Sequence, residues 1–188
     1  MVNGAYCDWQ NKGKEGARFR RTLRGGAGPG SWMVKKILVA VDGSENSLRA
    51  ARFAAELIAE NRKGMLTLIH VVPPVMAALD WYRGPGTVVS EAFEMEKAAA
   101  EATAKKAEGM LEEVRLLAEA VARGAELQID TVVEIGDPAR AIVEYAATRG
   151  YDIIVVGSRG LNPVKGVFLG SVSYKVLCTA PCPVLVVR

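Results

Sequence analysis

Hydrophobic positions after residue 35 fall into short apolar runs that alternate with stretches of helical spacing. Short runs rich in Ile, Val and Leu are typical of buried strands, and their alternation with helices indicates βαβ units. Right-handed crossovers between such strands favour a doubly wound arrangement. The pattern therefore predicts an α/β fold with a single five-stranded parallel sheet, whose strands are Lys36–Val41, Met65–Val72, Gln128–Glu134, Asp152–Val156 and Pro183–Val187.

Helical patterns fill the connections between these strands. Turn residues 42–47 include candidates for the N-cap of the first helix, and Asp137 is the predicted cap of the third. The long second helix has an apolar face that includes Leu111 and Leu117, which we expect to pack on the sheet. The connection of residues 73–90 is long enough to be either mobile or functional. The first predicted helix ends within Asn61–Gly64, and the others span about Ser90–Arg123, Pro138–Arg149 and Ser171–Thr179.

A glycine-bearing turn follows the predicted fourth strand. The apolar run stops at residues 157–160, which read Gly-Ser-Arg-Gly, and Gly170 precedes the last helix. Glycine allows tight turns and a close approach of the backbone to a ligand. The N–H groups of Gly170, Ser171 and Val172 are expected to be unpaired, and the helix dipole favours negative charge there. This combination predicts an anion cradle for nucleotide phosphates. The alternative is an ordinary loop with a serine N-cap.

Single residues near this turn admit two interpretations each. Asp42 is either a helix-capping carboxylate or a contact to a ligand or metal, and Val71 is either core or pocket lining. Arg159 either pairs with a phosphate or points into solvent. His70 is expected to be structural rather than a general base, because no serine or cysteine nucleophile lies beside it in the sequence.

The glycine spacing has a counterpart in a known family. The pattern Gly-x2-Gly-x9-Gly-Ser, formed by Gly157, Gly160, Gly170 and Ser171, resembles the nucleotide-binding signature of the universal stress protein family. Further segments resemble that family in the same order, so that the resemblance covers residues 33–188. These segments are Met33–Ser44, His70–Val72, Gly136–Pro138 and Ala180–Val187.

The resemblance implies a Rossmann-like adenine nucleotide-binding fold with strand order 3-2-1-4-5. It also implies bound ATP with Mg or Mn on the phosphates, no metal ligand directly from the protein, and a homodimer formed through the edge strand 183–187. The implied ATP-binding positions are Ala40, Val41, Asp42 and Val71 around the adenine, Val156 and Gly157 along base and ribose, and Gly160, Gly170, Ser171 and Val172 at the phosphates.

The function that follows is an ATP-binding regulatory protein of the stress response with at most slow hydrolysis. The sequence shows no prominent catalytic constellation, and no Gly-x4-Gly-Lys-Ser/Thr follows the first strand, which argues against a Walker-type NTPase. The alternative is a nucleotide-hydrolysing or adenylating enzyme of a related α/β fold. A third possibility is an interaction module with an empty loop, which the retained glycines disfavour.

Charge is divided unevenly along the chain. The net charge is +3, but residues 1–32 carry six basic and two acidic side chains, so the remainder carries −1. A nearly neutral remainder gives no electrostatic case for binding nucleic acid. Residues 1–32 end in a glycine-rich stretch, and we expect a flexible basic extension there rather than a nucleic-acid arm, followed by one domain over residues 33–188.

Targeting and cysteine patterns add two expectations. No apolar run approaches the roughly 18 residues that span a membrane, and no signal-peptide pattern opens the sequence, so a cytoplasmic location is expected. The three cysteines do not indicate a disulfide framework. Cys178 and Cys182 lack enough further ligands for a zinc site and are expected to be buried thiols.

Overall fold

The computed structural model describes residues 34–73, 89–161 and 169–188. Residues 1–32 and 74–88, which cover the predicted extension and most of the predicted connection, lie outside the described residues. No helix within the described ranges is long and apolar enough to cross a membrane. The elements are β1 (Lys36–Ala40), α1 (Glu45–Glu60), β2 (Lys63–Val72), α2 (Val89–Val121), β3 (Glu126–Ile135), α3 (Pro138–Arg149), β4 (Ile153–Gly157), α4 (Ser171–Thr179) and β5 (Val184–Val187).

The strands form one parallel sheet in the order β3-β2-β1-β4-β5, which confirms the predicted fold class and order. β1 is central, with Leu38 opposite Thr67 on β2 and Ile154 on β4. The chain steps outward from β1 to β2 and β3, and then crosses to β4 on the other side. In doubly wound sheets a ligand crevice lies at such a reversal, beside the carboxyl ends of the strands.

Helices cover both faces of the sheet, and the inner strands β1 and β4 are accordingly almost continuously apolar. On one face α1 and α2 pack on Ile37, Val39, Leu66 and Leu68. On the other face α3 and α4 pack on Leu38, Ile69, Ile154 and Val156. The core is therefore split into two layers, one on each face of the sheet.

The turn between α1 and β2 is tighter than the sequence indicated. Helix α1 ends at Glu60, and β2 begins at Lys63, so that only two residues separate them. Arg62 takes a left-handed conformation with φ 58°, which reverses the chain. Gly64 lies in the strand, where an added Cβ would come within 2.9 Å of the Lys35 carbonyl oxygen. Glycine is needed there for close packing and not to end the helix.

Two burial predictions were wrong. Leu117 is 39% exposed, while Ala118 is fully buried, because the inner stripe of α2 continues from Leu111 through Val114 to Ala118. Cys178 is exposed in the last turn of α4, and Cys182 is half-buried. The expectation of buried thiols therefore fails for Cys178.

Candidate functional site

The carboxyl ends of β1 and β2 are joined just before the first turn. The Val41 N–H donates to the Ile69 carbonyl at 2.9 Å, which continues the pairing of the two strands. The Nδ1–H of half-buried His70 donates to the Val41 carbonyl at 2.7 Å. One ring nitrogen of His70 is thus engaged by the main chain at the point where the chain leaves β1.

The turn from β1 to α1 is organised by its own side chains. Ser44 is the N-cap of α1, and its Oγ accepts a hydrogen bond from the Ser47 N–H at 3.3 Å. Asp42 Oδ1 accepts from the Ser44 N–H at 3.0 Å. The capping interpretation of Asp42 is therefore wrong. Its second oxygen, Oδ2, lies 2.6 Å from the point that a Cβ at Gly160 would occupy.

Close approach of neighbouring atoms explains two of the glycines after β4, Gly157 and Gly160. Gly157, Gly160 and Gly170 all lie outside the left-handed region, so none of them is required by a positive φ. A Cβ at Gly157 would come within 2.9 Å of the Asn46 carbonyl carbon and 3.0 Å of the Ser47 nitrogen. The first turn of α1 therefore packs directly on the end of β4.

The N-terminus of α4 differs from the predicted arrangement in two respects. Gly170 is the N-cap and Ser171 the first helical residue, so the serine N-cap that the ordinary-loop alternative included is wrong. The Gly170 N–H donates to the Ser158 carbonyl at 2.7 Å and is not unpaired, as had been expected. The N–H groups of Ser171 and Val172 have no partner within the helix, and no described residue outside it accepts from them.

The described residues around Gly170 do not require a glycine at this position. Its φ of −67° and ψ of 156° suit any residue. A Cβ there would meet the Arg159 Cα and the Ser158 oxygen at 3.5 Å, which is ordinary van der Waals contact. Among the described residues the fold therefore tolerates a side chain at this position, which directly precedes the Ser171 and Val172 amides.

Four elements hold the segment of residues 157–161, which we call the anion loop. The Ser158 N–H donates to the Val187 carbonyl at 2.6 Å, and Ser173 Oγ donates to the Gly157 carbonyl at 2.6 Å. The Arg159 carbonyl accepts hydrogen bonds from Ser44 and Asn46 at the start of α1. Elements β4, β5, α1 and α4 thus meet at one short loop.

A model described as the universal stress protein family matches residues 33–188. The chain belongs to this family. The universal stress protein YxiE of Bacillus subtilis is 36% identical over 158 residues, which cover 83% of this chain and 100% of YxiE. The structure of UspA from Lactobacillus plantarum is 26% identical with a TM-score of 0.60, over 84% of this chain and 100% of that one.

A further universal stress protein structure was determined in complex with cAMP. It is 25% identical to this chain with a TM-score of 0.57, over 83% of this chain and 98% of the other. The same parallel fold in a relative thus accommodates an adenine nucleotide. The position of that ligand is not transferred to this chain by fold alone.

Most positions that the universal stress protein signature assigns to the base have buried side chains. Val41 is 3% exposed, Val71 is 8% exposed and Val156 is 2% exposed. Val71 packs in the core, as one of its two interpretations held, and Ala40 is partly buried against the same layer. Because their side chains are buried, these residues would contact a ligand mainly through main-chain atoms. Their contact with a base stays a prediction.

Arg159 is half-buried in the anion loop, and its side chain forms no ion pair or hydrogen bond with any described residue. Its phosphate contact stays a prediction. On the neighbouring rim, Asp137 caps α3 by accepting from the Arg140 N–H at 3.0 Å, as predicted. That hydrogen bond, assisted by Lys175 at 3.7 Å, lowers the pKa of the Asp137 carboxyl below its usual range.

The sequence did not predict two polar residues that contact the anion loop. Ser44 Oγ donates to the Arg159 carbonyl at 3.3 Å, and Asn46 Nδ2 donates to the same oxygen at 3.4 Å. The sequence marked the turn 42–47 only as a source of N-caps, because more than a hundred residues separate it from Arg159. The serine and asparagine residues of this turn were the one feature of the sequence that could have indicated the contact.

Proposed function

We propose that the chain binds ATP at the anion loop and acts as a nucleotide-dependent regulatory protein of the stress response. The observation that carries this proposal is a group of main-chain donors, Gly160, Ser171 and Val172, from which no described residue accepts a hydrogen bond. They lie near Gly170, where an added Cβ would meet only ordinary van der Waals contacts among the described residues. Amides at a helix N-terminus are suited to phosphate, since donors and dipole act together. Family membership and the cAMP complex of a relative support adenine as the base.

The base and ribose would lie over the ends of β1, β2 and β4. In this proposal the main chain of Val41 and Val71 contacts the adenine, and Val156 and Gly157 flank the ribose. Asp42 Oδ2 accepts a hydrogen bond from the base or a ribose hydroxyl. A carboxylate suits such donors and would repel phosphate oxygens, which places the phosphates toward α4.

A divalent cation completes the proposed complex. Mg²⁺ and Mn²⁺ are hard ions that prefer oxygen ligands and commonly bind through substrate phosphates. The cation would reduce the repulsion between the triphosphate and the nearby Asp42 carboxylate. Arg159 would supply a further positive charge to the same phosphates.

We propose a regulatory role with at most slow hydrolysis. Rapid phosphoryl transfer needs a base or another group that orients the attacking water. His70, the one histidine of the chain, already donates from Nδ1 to the Val41 carbonyl. Multiple rapid turnovers with ATP, alone or with a co-substrate, would instead favour the nucleotide-hydrolysing or adenylating enzyme.

Calorimetric titration of the purified protein with ATP and with AMP, each with and without Mg²⁺, tests the binding proposal. We expect saturable ATP binding that is tighter than AMP binding, because AMP lacks the phosphates that reach the α4 amides. Mass spectrometry of any co-purified nucleotide provides an independent check. Equal affinity for ATP and AMP would contradict the phosphate role of the loop, and no binding of either would refute the function.

We also propose a homodimer formed through β5. This strand is at the edge of the sheet, and its four residues are only partly buried. An apolar edge strand favours pairing with another chain unless it is covered, and a two-fold axis would join identical strands. Light scattering should give twice the mass of the monomer at micromolar concentrations. The monomer mass over a wide concentration range would contradict this assembly.

A further inference from the structure

The Arg159 carbonyl of the anion loop is held by two side-chain hydrogen bonds. It accepts Ser44 Oγ at 3.3 Å and Asn46 Nδ2 at 3.4 Å, both from the start of α1. The missing Cβ of Gly157 allows this turn of α1 to lie against the end of β4. Two long hydrogen bonds on one oxygen set the direction in which that carbonyl points.

The direction of this carbonyl also fixes the next amide. A trans peptide is planar, and its C=O and the following N–H point in opposite directions. The Gly160 N–H therefore points away from α1. The Gly160 nitrogen lies 3.7 Å from where a Cβ at Gly170 would be, and no described residue accepts from its hydrogen. Among the described residues, this amide therefore lies near the N-terminus of α4 without an acceptor.

From this geometry we infer that Ser44 and Asn46 are positioning residues, which orient the Gly160 amide toward a nucleotide phosphate before the ligand arrives. The inference rests on the proposed function for the identity of the ligand. Pre-organised donors bind an anion more tightly than mobile ones, because less conformational entropy is lost on binding. Neither residue has to touch the nucleotide to have this effect.

Substitution of Asn46 tests this positioning role without disturbing the N-cap of α1. Ser44 is also the N-cap, so its replacement would disturb the helix as well as the loop. The side chain of Asn46 makes no other hydrogen bond to a described residue than the one to Arg159. Removing its amide therefore affects the loop and leaves the cap in place.

The test compares Asn46→Leu with Asn61→Leu. Asn61, at the other end of α1, donates from its side-chain amide to the Val34 carbonyl at 2.9 Å. The two variants thus lose the same kind of hydrogen bond from the same helix, one at the anion loop and one remote from it. Asn46→Ala repeats the measurement without adding apolar surface.

Two quantities are measured on the folded, full-length chain. We expect Asn46→Leu to weaken ATP binding by about five-fold, the effect of one neutral hydrogen bond, and Asn61→Leu to leave it unchanged. In the protein without ligand, the NMR order parameter of the Gly160 amide should fall from about 0.85 toward 0.6 in both Asn46 variants and stay unchanged in Asn61→Leu. A purely structural role for Asn46 would not change that order parameter.

Each outcome decides the inference. Wild-type affinity and an unchanged order parameter in both Asn46 variants would overturn it. Weaker binding with an unchanged order parameter would also overturn it, since Asn46 would then contact the ligand directly. If the wild type binds no adenine nucleotide, the proposed function fails. The order parameter of Gly160 without ligand still decides whether Asn46 positions the loop.

Discussion

Replacing Gly170 with aspartate should raise the free energy of unfolding and at the same time weaken nucleotide binding. The backbone angles at this N-cap suit an L-residue, and a Cβ meets only ordinary contacts. Aspartate is a preferred N-cap, and its carboxylate accepts from the second or third amide of the helix. In Gly170→Asp an intramolecular anion would therefore occupy the place that we assign to phosphate.

The stability gain of Gly170→Asp has three parts. The side-chain cap contributes a few tenths of a kcal/mol relative to glycine. The charge on the α4 dipole contributes about 0.3–1 kcal/mol, and the loss of backbone freedom in the unfolded chain contributes about 0.4–1 kcal/mol. Together these raise the free energy of unfolding by roughly 1–2 kcal/mol. For a domain of this size the Tm should rise by about 2–4 °C per kcal/mol.

The affinity loss of Gly170→Asp comes from the same carboxylate. It competes for the helix amides and repels the phosphates. A hydrogen bond to a charged group is worth about 1.5–3 kcal/mol, so losing two of them weakens ATP binding by about 100-fold or more. Calorimetry with ATP and thermal unfolding without ligand measure the two effects on one preparation.

Gly109→Ala is the matched control for this experiment. Gly109 lies within α2, where an added Cβ meets nothing within 4 Å. The substitution should stabilise the helix by about 1 kcal/mol and leave ATP binding unchanged. If Gly170→Asp gains stability but keeps wild-type affinity for ATP, the nucleotide does not use the N-terminus of α4, and the reasoning on the anion loop is wrong.

Two further predictions concern the frame of the site. Gly157→Ala should destabilise the fold by about 1–3 kcal/mol in urea unfolding, because the new methyl meets backbone atoms of Asn46 and Ser47, and wild-type stability would contradict that packing. The pKa of Asp137 is depressed in the folded state, so its stabilising contribution is present above the unfolded pKa and is lost as the pH falls through the folded value. Asp137→Asn keeps a capping oxygen but cannot titrate, so its Tm should decline less than that of the wild type between about pH 4 and pH 2. If the Tm values of both proteins decline equally, Asp137 does not contribute to the loss of stability in acid.

The sheet was predictable because apolar runs and turn residues carry local information. Strands such as β1 and β4 are continuous in Ile, Leu and Val, and their order followed from the family resemblance. The face of α2 was harder to assign. Leu117 and Ala118 are neighbours in sequence, and which of them faces the sheet depends on the exact rotation of a long helix.

The sequence indicated which residues form the loop after β4, but not the hydrogen bonds that hold it. Glycine spacing marked this loop as a candidate site, and its ligand contacts stay a prediction, whereas the partner of each amide depends on tertiary contacts. The Gly170 N–H pairs with Ser158, and the clamp on Arg159 comes from a turn far away in sequence. Local patterns identify groups that can donate, but they do not show where the fold directs them.

The peptide groups of Ser158 link the outermost strand to the cap of α4. The Ser158 amide hydrogen is held by Val187, and its carbonyl oxygen holds Gly170. A fusion tag or fluorescent label attached after Arg188 would therefore begin one residue beyond Val187, which is hydrogen-bonded to the loop. Probes intended to report on ligand uptake without disturbing it belong on the outer surface of α2, at exposed positions such as Leu116.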